Sequence, residues 1–355
     1  MINLIFYRYV LEYYKFDVKR IFRMYMKGSF WVACLGLFQL VSFWINFKYG
    51  YDWRTFTPFN KWGPALGGLG LRINSTFSEP ASLGVTLGPA FFIAFYELIL
   101  KSERFITRNQ CIAILAAYVL SFSSVAYICI FTTIILIAMN FGLLRYIFFA
   151  IPVSIILFSL GYSSAPEFRD RVNGMKALFI DRILEKNAQQ SENNSLRMQN
   201  IKSIIKQVHG SSFVLYNNYH VATENFKNNP MFGSGLGSHE YAFDKYNLSY
   251  IIGGIYEFNT TDANSMFLRL LSETGLMGVL FALIFIFKFF VAKSLFGEED
   301  EEYWLISNAI LVIIIAQLLR QGNYTYSGFF LFGWMYYYNN VNYKQYRKQL
   351  FMYKG

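Results

Sequence analysis

The sequence predicts an all-α polytopic membrane protein, with about eight transmembrane helices and a helical periplasmic cap. Of its 355 residues, 55% are apolar and only 15% are charged, whereas a typical soluble domain has about 25% charged residues. Several apolar runs approach the roughly 20 residues that cross a bilayer as a helix, and short basic segments separate some of them. The composition therefore excludes an ordinary soluble protein.

Eight apolar runs are the candidate membrane spans. They cover residues 29–48, 81–100, 110–122, 124–141, 146–162, 265–292, 303–320 and 324–340. The third run is too short to cross a bilayer alone as a straight helix. Ser121, Ser123 and Ser124 indicate an outer turn between the third run and the fourth.

Lysine and arginine residues near the ends of the runs predict the orientation of the chain. The lead, the 101–108 loop and the tail are basic, which places both termini in the cytoplasm. Residues 1–14 fit equally an interfacial amphipathic helix and the inner end of a helix whose beginning is absent. The predicted segments are a cytoplasmic or interfacial lead (1–28), a first membrane bundle (29–162) with an outer loop (49–80), a large extracytoplasmic loop (163–262), a second membrane bundle (263–340) and a cytoplasmic tail (341–355).

The remaining compositional features exclude other classes of function. The net charge of +10 arises mostly from the topogenic segments, and no clustered basic face indicates a nucleic-acid partner. All three cysteines fall in predicted spans, no metal-ligand spacing occurs, and neither a metal nor a cofactor is expected. The acidic run at 297–302 indicates a solvated inner loop.

The most informative stretch is DANSMFLRLLSETGLMG, at residues 262–278. Asp262, Ser265, Arg269 and Glu273 follow one another at steps of three or four, which predicts one polar helical face at the mouth of an apolar span. Ionisable groups at membrane depth are costly and usually serve chemistry or a polar pathway. The alternative is that Arg269 and Glu273 only form an i,i+4 pair that points outward.

The first outer loop ends in RINSTFSEPASLG, which carries Arg72 and Glu79. Pro80 suits the first turn of a helix, so Glu79 is predicted to lie at a positive helix end. Glu79 is then either a helix-capping carboxylate or a group that orients a substrate or accepts its proton. In the second case Arg72 binds an anionic substrate.

The long loop is predicted to form helices at 165–187, 195–208 and 217–228, followed by NNPMFGSGLGSHEYAF. Its glycines follow Asn229 and Pro230 rather than a strand, which favours a tight turn over a dinucleotide site. His239 comes directly after this turn. It is either an ordinary surface histidine or a catalytic group.

Arg320 ends the seventh apolar run, where it either snorkels outward or faces a site. In the predicted topology, Arg72, Arg269 and Arg320 share one side of the membrane and one depth. Guanidinium groups bind phosphate oxygens bidentately and stay charged, so such a cluster suits a diphosphate ester.

These motifs together resemble the bacterial O-antigen polymerase and ligase superfamily, the Wzy-like polysaccharide polymerases. The resemblance lies in RINSTFSEPASLG, LSFSSVAY, NNPMFGSGLGSHE and NSMFLRLLSETGLMG, and it extends from about residue 30 to residue 340. It implies a metal-independent glycosyltransferase on the outer side of the bacterial inner membrane. Its substrate would be a polyprenyl-diphosphate-linked glycan, whose reducing-end sugar passes to the non-reducing end of another repeat unit.

The resemblance also implies roles for individual residues. Arg72, Arg269 and Arg320 would hold the diphosphate, with Arg197 as a weaker candidate and Ser265 and Glu273 beside them. Glu79 matches the glutamate of the family's Glu-Pro motif. Asn264 stands where the family commonly has histidine, so it can orient a hydroxyl but cannot take its proton. The general base would then be Asp262, Glu79 or His239.

The missing histidine favours a polymerase over a ligase that transfers a finished glycan to a lipid acceptor. A flippase for lipid-linked oligosaccharide is the other alternative, although the sequence shows neither internal repeats nor charges at mid-membrane. A chain-length regulator is a possible partner. Tyr216, Tyr219, Tyr241, Phe243 and Tyr246 either stack on sugar rings or form the packing core and interfacial belt of the cap.

Overall fold

A computed structural model describes residues 2–55, 63–67, 70–143, 159, 166–179, 208, 210–252, 254, 256–293 and 301–354. Within these ranges the chain is helical, with an isolated β-bridge between Leu66 and Leu71 and no strand, which confirms the all-α prediction. The helices are α1 (Ile2–Tyr13), α2 (Val18–Trp44), α3 (Lys48–Tyr51), α4 (Pro80–Thr86), α5 (Gly88–Leu100), α6 (Arg108–Val119), α7 (Ser124–Asn140), α8 (Pro166–Phe179), α9 (Gly210–Asn228), α10 (His239–Tyr246), α11 (Met266–Phe289), α12 (Glu301–Arg320) and α13 (Phe329–Lys354).

Three described helices, α2, α11 and α12, are long and apolar enough to cross a membrane. The bent pair α4 and α5 adds a fourth span if both helices belong to one crossing. Helices α6 and α7 have 12 and 17 residues, which is short for a straight crossing. Most of the fifth apolar run, at 146–162, lies outside the described residues. A membrane-embedded protein is thus supported, whereas the count of eight spans is not confirmed.

The boundaries of α2 and α13 differ from those of the apolar runs. Helix α2 begins at Val18, because the Asp17 carboxylate accepts a hydrogen bond from Arg20 N at 3.0 Å and caps the first turn. Much of the predicted lead is therefore helical. Helix α13 continues beyond the apolar run through the basic tail as far as Lys354.

Ion pairs hold the basic lead and the 101–108 loop to the start of α12. Glu302 pairs with Lys19 at 2.9 Å and with Arg23, while Glu301 pairs with Arg104 at 2.6 Å. The prediction of a solvated loop at 297–302 is wrong for these two glutamates, because both lie in the first turn of a helix and are ion-paired.

The apolar run at 81–100 bends by 60° between α4 and α5. Pro89 removes a backbone donor at the start of α5, and Gly88 packs closely against Cys129. The Tyr25 hydroxyl spans the bend, since it donates to Thr86 O at 2.7 Å and accepts from Ala90 N at 3.1 Å. Backbone groups left open by the bend thus find a partner, as apolar surroundings require.

The chain divides into two compact units. Unit 1 comprises Met1–Gly142, Phe285–Gln317 and Tyr324–Gly355, and unit 2 comprises Leu143–Ile284 and Leu318–Asn323. In unit 1, α6 packs against α2 and α5, α7 packs against α4 and α5, and α1 packs against α13. Its largest fully buried side chains include Trp304, Tyr96, Tyr118 and Phe22.

In unit 2, helix α9 packs against α8 and α10. Its core contains Leu178, Phe213, Tyr216 and Leu248. Two of the predicted loop helices correspond to α8 and α9, although α9 begins earlier than predicted, at Gly210. The helix predicted at 195–208 lies outside the described residues apart from Val208.

Candidate functional site

Helix α11 is interrupted at Gly275, which has φ 61° and ψ −154°. A turn at residues 229–238, which follows α9, fills the interruption, so the tight turn predicted from the glycines is confirmed. Its backbone groups bond to those exposed by the break, through Leu276 N to Pro230 O at 2.9 Å, Met277 N to Met231 O at 3.1 Å, Ser234 N to Ser272 O at 3.2 Å and Gly235 N to Glu273 O at 2.8 Å. The turn therefore provides hydrogen-bond partners for the backbone groups of α11 that the break leaves unpaired within the helix.

Two glycines allow this close approach. A Cβ atom on Gly275 would lie 2.7 Å from Gly233 N and 2.7 Å from Met231 O, both of which are backbone atoms. A Cβ on Gly233 would collide with the backbone of Glu273. Both residues also have positive φ, where other side chains are strained. The two motifs, NNPMFGSGLGSHE and NSMFLRLLSETGLMG, thus form a single interlocked element.

Arg269 and Glu273 lie on the first half of α11, next to this element. Their side chains pair through Nε and Oε1 at 2.8 Å, with Glu273 fully buried and the Arg269 side chain 14% exposed. Arg269 Nη1 also donates to Gly322 O at 3.1 Å. The i,i+4 pair is confirmed, but the alternative in which it only points outward is wrong, because the carboxylate is buried inside the unit.

Asp262 and Ser265 do not share the helical face of Arg269 and Glu273, so that prediction is wrong. The helix begins only at Met266, and Ala263 and Asn264 have positive φ. Asp262 Oδ1 instead accepts from Asn264 N at 3.0 Å and stabilises the turn before the helix.

Ser265 caps α11 and ties it to the segment that carries Arg320. Its Oγ accepts from Leu268 N at 3.3 Å and donates to Leu318 O at 2.6 Å. Arg320 lies between Leu318 and Gly322, the two residues whose carbonyls Ser265 and Arg269 bind. It is half-buried, and in the described part of the chain its guanidinium makes no hydrogen bond or ion pair.

His239 is fully buried at the start of α10, so the interpretation as a surface histidine is wrong. Its Nε2 lies 3.1 Å from Asn218 Oδ1, and its buried Nδ1 has no hydrogen-bond partner among the described residues. Burial lowers the pKa of His239 to about 4. The imidazole is therefore neutral at pH 7 and is a weak general base.

Buried asparagines on α9 are part of this site, and sequence reasoning missed them. Asn225 Nδ2 donates to Ser272 O at 2.8 Å and to Ser234 Oγ at 2.8 Å, which links α9 to both the broken helix and the turn. Asn217 Oδ1 accepts from Leu248 N at 2.7 Å. The available signal is that asparagines recur on one face of an amphipathic helix, where apolar residues would otherwise be expected.

Arg72 and Glu79 belong to unit 1. Arg72 is half-buried, and its Nε donates to Ser121 O at 3.4 Å. Glu79 is exposed at the N-cap of α4 with Pro80 in the first turn, as predicted, but its carboxylate accepts no capping hydrogen bond. The carboxylate-capping explanation is therefore wrong, and the proposed substrate role of Glu79 stays a prediction.

Buried Gln39, in α2, holds the loop that contains Arg72. Its Nε2 donates to Asn74 Oδ1 at 2.8 Å, and its Oε1 accepts from Asn74 N at 3.2 Å and Ser75 N at 3.0 Å. Sequence reasoning missed this residue as well, although a glutamine inside an apolar run was a visible signal.

Unit 2 thus brings together most of the predicted site residues: Asp262, Asn264, Ser265, Arg269, Glu273, His239 and Arg320. Arg72 and Glu79 are in the other unit, and Arg197 lies outside the described residues. Among the residues that the structure describes, no group of three or more His, Cys, Asp or Glu side chains is arranged to hold a metal ion.

No family model matches this chain. No curated protein and no solved structure matches it either. The chemistry of the site is therefore argued from its own groups. They provide two arginines on linked segments, a buried carboxylate, a half-buried carboxylate at Asp262 and amide groups, beside an apolar helix.

Proposed function

We propose that this chain is a membrane glycosyltransferase that polymerises polyprenyl-diphosphate-linked oligosaccharide repeat units into a surface polysaccharide, such as O-antigen, capsule or exopolysaccharide. The observation that supports this most is the arginine-containing polar centre at the start of a broken, apolar helix. Charged groups at such a place are costly and are retained for function. The motif resemblance supports lipid-linked glycans as the substrate class and the bacterial inner membrane as the location.

Arg320 is proposed as the principal diphosphate ligand in unit 2. Its guanidinium is permanently charged, bidentate and uncommitted within the described chain. Arg269 binds Glu273 and Gly322, so it positions the segment that carries Arg320. The roles of Arg72 and Arg197 stay predictions from the motif resemblance.

In the proposed reaction, a hydroxyl at the non-reducing end of the acceptor attacks the anomeric carbon of the donor's reducing-end sugar. The new glycosidic bond forms as the bond from that carbon to the diphosphate oxygen breaks. Polyprenyl diphosphate leaves, with its developing negative charge stabilised by arginine. The proton of the attacking hydroxyl passes to a carboxylate.

Asp262 is the proposed proton acceptor. It lies in the same unit as Arg269 and Arg320, and its carboxylate is half-buried next to Asn264, which is proposed to orient the attacking hydroxyl. His239 is less suitable, because it is fully buried and its Nε2 is bonded to Asn218. Glu79 is the alternative base, and it belongs to unit 1.

The test uses the purified full chain in lipid vesicles with lipid-diphosphate-linked repeat units and with neither nucleotide sugar nor added metal. A polysaccharide ladder on a gel is the expected product. Arg320→Ala is expected to slow its formation about 100-fold or more, as removal of one charge-stabilising donor does in other enzymes. Arg169→Ala, which removes an exposed arginine of the same unit, is the control and should leave the ladder unchanged.

A flippase for lipid-linked oligosaccharide is the second candidate, because two apolar segments are broken. Helix α11 is interrupted at Gly275, and the run containing α4 and α5 bends by 60°. Interrupted helices are common at the substrate sites of transporters. Movement of the glycolipid across the vesicle bilayer without a ladder would replace the polymerase proposal with this one, and glycan transfer to an added lipid acceptor would indicate a ligase.

A further inference from the structure

A cleft lies between the end of α8 and one face of α9, within unit 2. It is lined by Phe179, Tyr216, Tyr219, His220, Thr223, Glu224 and Lys227. Its volume is about 140 Å³. A single water molecule needs only about 10–15 Å³ of such a cavity, so the cleft accommodates a much larger group.

Three aromatic rings form one wall of this cleft. The ring centroids of Phe179 and Tyr216 are 4.9 Å apart at 89°, and those of Phe179 and Tyr219 are 5.5 Å apart at 51°. Tyr216 is buried in the core, whereas Tyr219 is 44% exposed. Contacts with the core therefore fix the position of a ring that is almost half exposed, and such a ring can stack on a ligand with an apolar face.

Polar groups from the same face of α9 form the rim. Glu224 and Lys227 pair at 2.6 Å with 30% and 63% of their side chains exposed. Thr223 Oγ1 donates to Tyr219 O at 2.8 Å, so its oxygen can still act as an acceptor. Because the carboxylate and the ammonium cancel, the rim offers donors and acceptors without net charge.

We infer that this cleft is a carbohydrate-binding subsite, in which Tyr219 stacks on a sugar ring and Glu224 and Lys227 bind its hydroxyl groups. The choice of a glycan rests on the proposed function. The chemistry of the cleft agrees with that choice, because a sugar combines an apolar ring face with a rim of groups that both donate and accept. An anionic ligand would require an excess of positive charge, which the ion pair does not provide.

The test measures binding of the free repeat-unit oligosaccharide, released from its polyprenyl diphosphate by mild acid, to the full chain in lipid nanodiscs. Titration calorimetry gives Kd, and saturation-transfer NMR identifies the sugar protons in contact. Tyr219→Ala should raise Kd about tenfold, and Glu224→Gln should raise it severalfold. Tyr219→Phe keeps the ring face and should retain the parent Kd.

Tyr250→Ala is the matched control, because Tyr250 is a tyrosine of the same unit that is 55% exposed and does not line the cleft. It should leave Kd unchanged. Thermal unfolding checks that each variant is folded. Equal Kd values for the parent, Tyr219→Ala and Glu224→Gln would overturn the inference, as would the absence of binding to the parent chain.

The two proposals fail in different ways. If the parent forms a ladder but Tyr219→Ala keeps both its KM for the repeat unit and its Kd for the free glycan, the polymerase stands and the cleft is wrong. If the free glycan binds and Tyr219→Ala weakens it, while no ladder forms under any condition, the cleft stands and the polymerase is wrong.

Discussion

Replacing Gly275 by alanine tests the interlock between the broken helix and the 229–238 turn. The new Cβ would lie 2.7 Å from backbone atoms of Gly233 and Met231. Backbone cannot rotate away as the end of a side chain can, so the turn either stays in an overpacked contact or shifts as a whole. That shift would break the bonds from Leu276 N to Pro230 O and from Met277 N to Met231 O.

The magnitude of the effect follows from two contributions. A non-glycine residue held at the φ and ψ of Gly275 costs about 1–3 kcal/mol. If the turn stays, the extra methyl adds about 1–3 kcal/mol of overpacking. If it moves, two backbone hydrogen bonds are lost, at about 0.5–1.5 kcal/mol each. The conformational cost adds to either the overpacking or the lost hydrogen bonds, so the free energy of unfolding should fall by about 2–6 kcal/mol.

The assay is unfolding of the protein in mixed micelles by added SDS, combined with hydrogen exchange at the amides of Leu276 and Met277. Gly237→Ala is the first control: φ is +82° but the added Cβ meets open space, so only the conformational cost should appear. Gly333→Ala is the second, since this helical glycine also has open space around it, and the change should be neutral or slightly stabilising.

A Gly275→Ala variant within about 0.5 kcal/mol of the parent, a range typical of surface changes, and with unchanged exchange at both amides, would refute this reasoning. The same result for Gly275→Ala and Gly237→Ala would show that the collision with the turn contributes nothing.

Three other predictions concern buried polar groups. Glu273→Gln should destabilise the fold by about 3–5 kcal/mol, because Arg269 loses its buried carboxylate partner. Lys227→Gln breaks an exposed ion pair and should cost less than about 1 kcal/mol. Similar SDS unfolding curves for the two variants would contradict this prediction. The pKa of His239 is about 6.5 in the unfolded chain and about 4 in the folded chain, so the free energy of unfolding should be highest above pH 6.5 and fall by up to about 3 kcal/mol as the pH drops to 4. The free energy of unfolding should depend less on pH in His239→Gln, and an equal pH dependence in the two proteins would refute the effect. Gln39→Leu should cost about 1–3 kcal/mol and speed hydrogen exchange at Asn74 and Ser75, and protection equal to that of the parent would exclude Gln39 as the support of this loop.

The all-helical class was readable from the sequence because apolar runs of span length leave few alternatives. The helix boundaries are harder to predict from the sequence. The start of α2 depends on the cap from Asp17 and on Glu302, whose ion pairs with Lys19 and Arg23 come from the far end of the chain. Such pairing makes a basic segment part of a helix, although its own composition indicates a surface lead.

The site was predicted in part. Charged groups at the mouth of an apolar run indicate its residues, and most of them do lie in one unit. The break at Gly275 was not predicted, because a single glycine is compatible with a continuous helix. The conformation is set by Gly233 and Met231, more than 40 residues earlier in the chain, and local periodicity carries no information about such contacts.

The same limit explains the errors at Asp262 and His239. Spacing alone predicts Asp262 on the helical face, but positive φ at Ala263 and Asn264 prevents the helix from extending back to Asp262. His239 follows a glycine-rich turn, which usually indicates exposure. It is buried because α10 packs against α9, where Asn218 bonds to its Nε2, and that packing depends on residues far from the turn.

The interruption of α11 also affects the thickness of membrane that this part of the protein fits. Beyond the break, apolar side chains face outward at Leu276, Phe281, Ile284 and Phe287. Residues 276–289 rise by only about 21 Å at 1.5 Å per residue, whereas the hydrocarbon core of a bilayer is roughly 30 Å thick. The turn bonded at the break exposes Phe232 and Leu236, which extend the apolar surface beside the helix. The exposed apolar surface is thus composite, and we expect a change that releases the turn to increase hydrophobic mismatch and thin the surrounding bilayer.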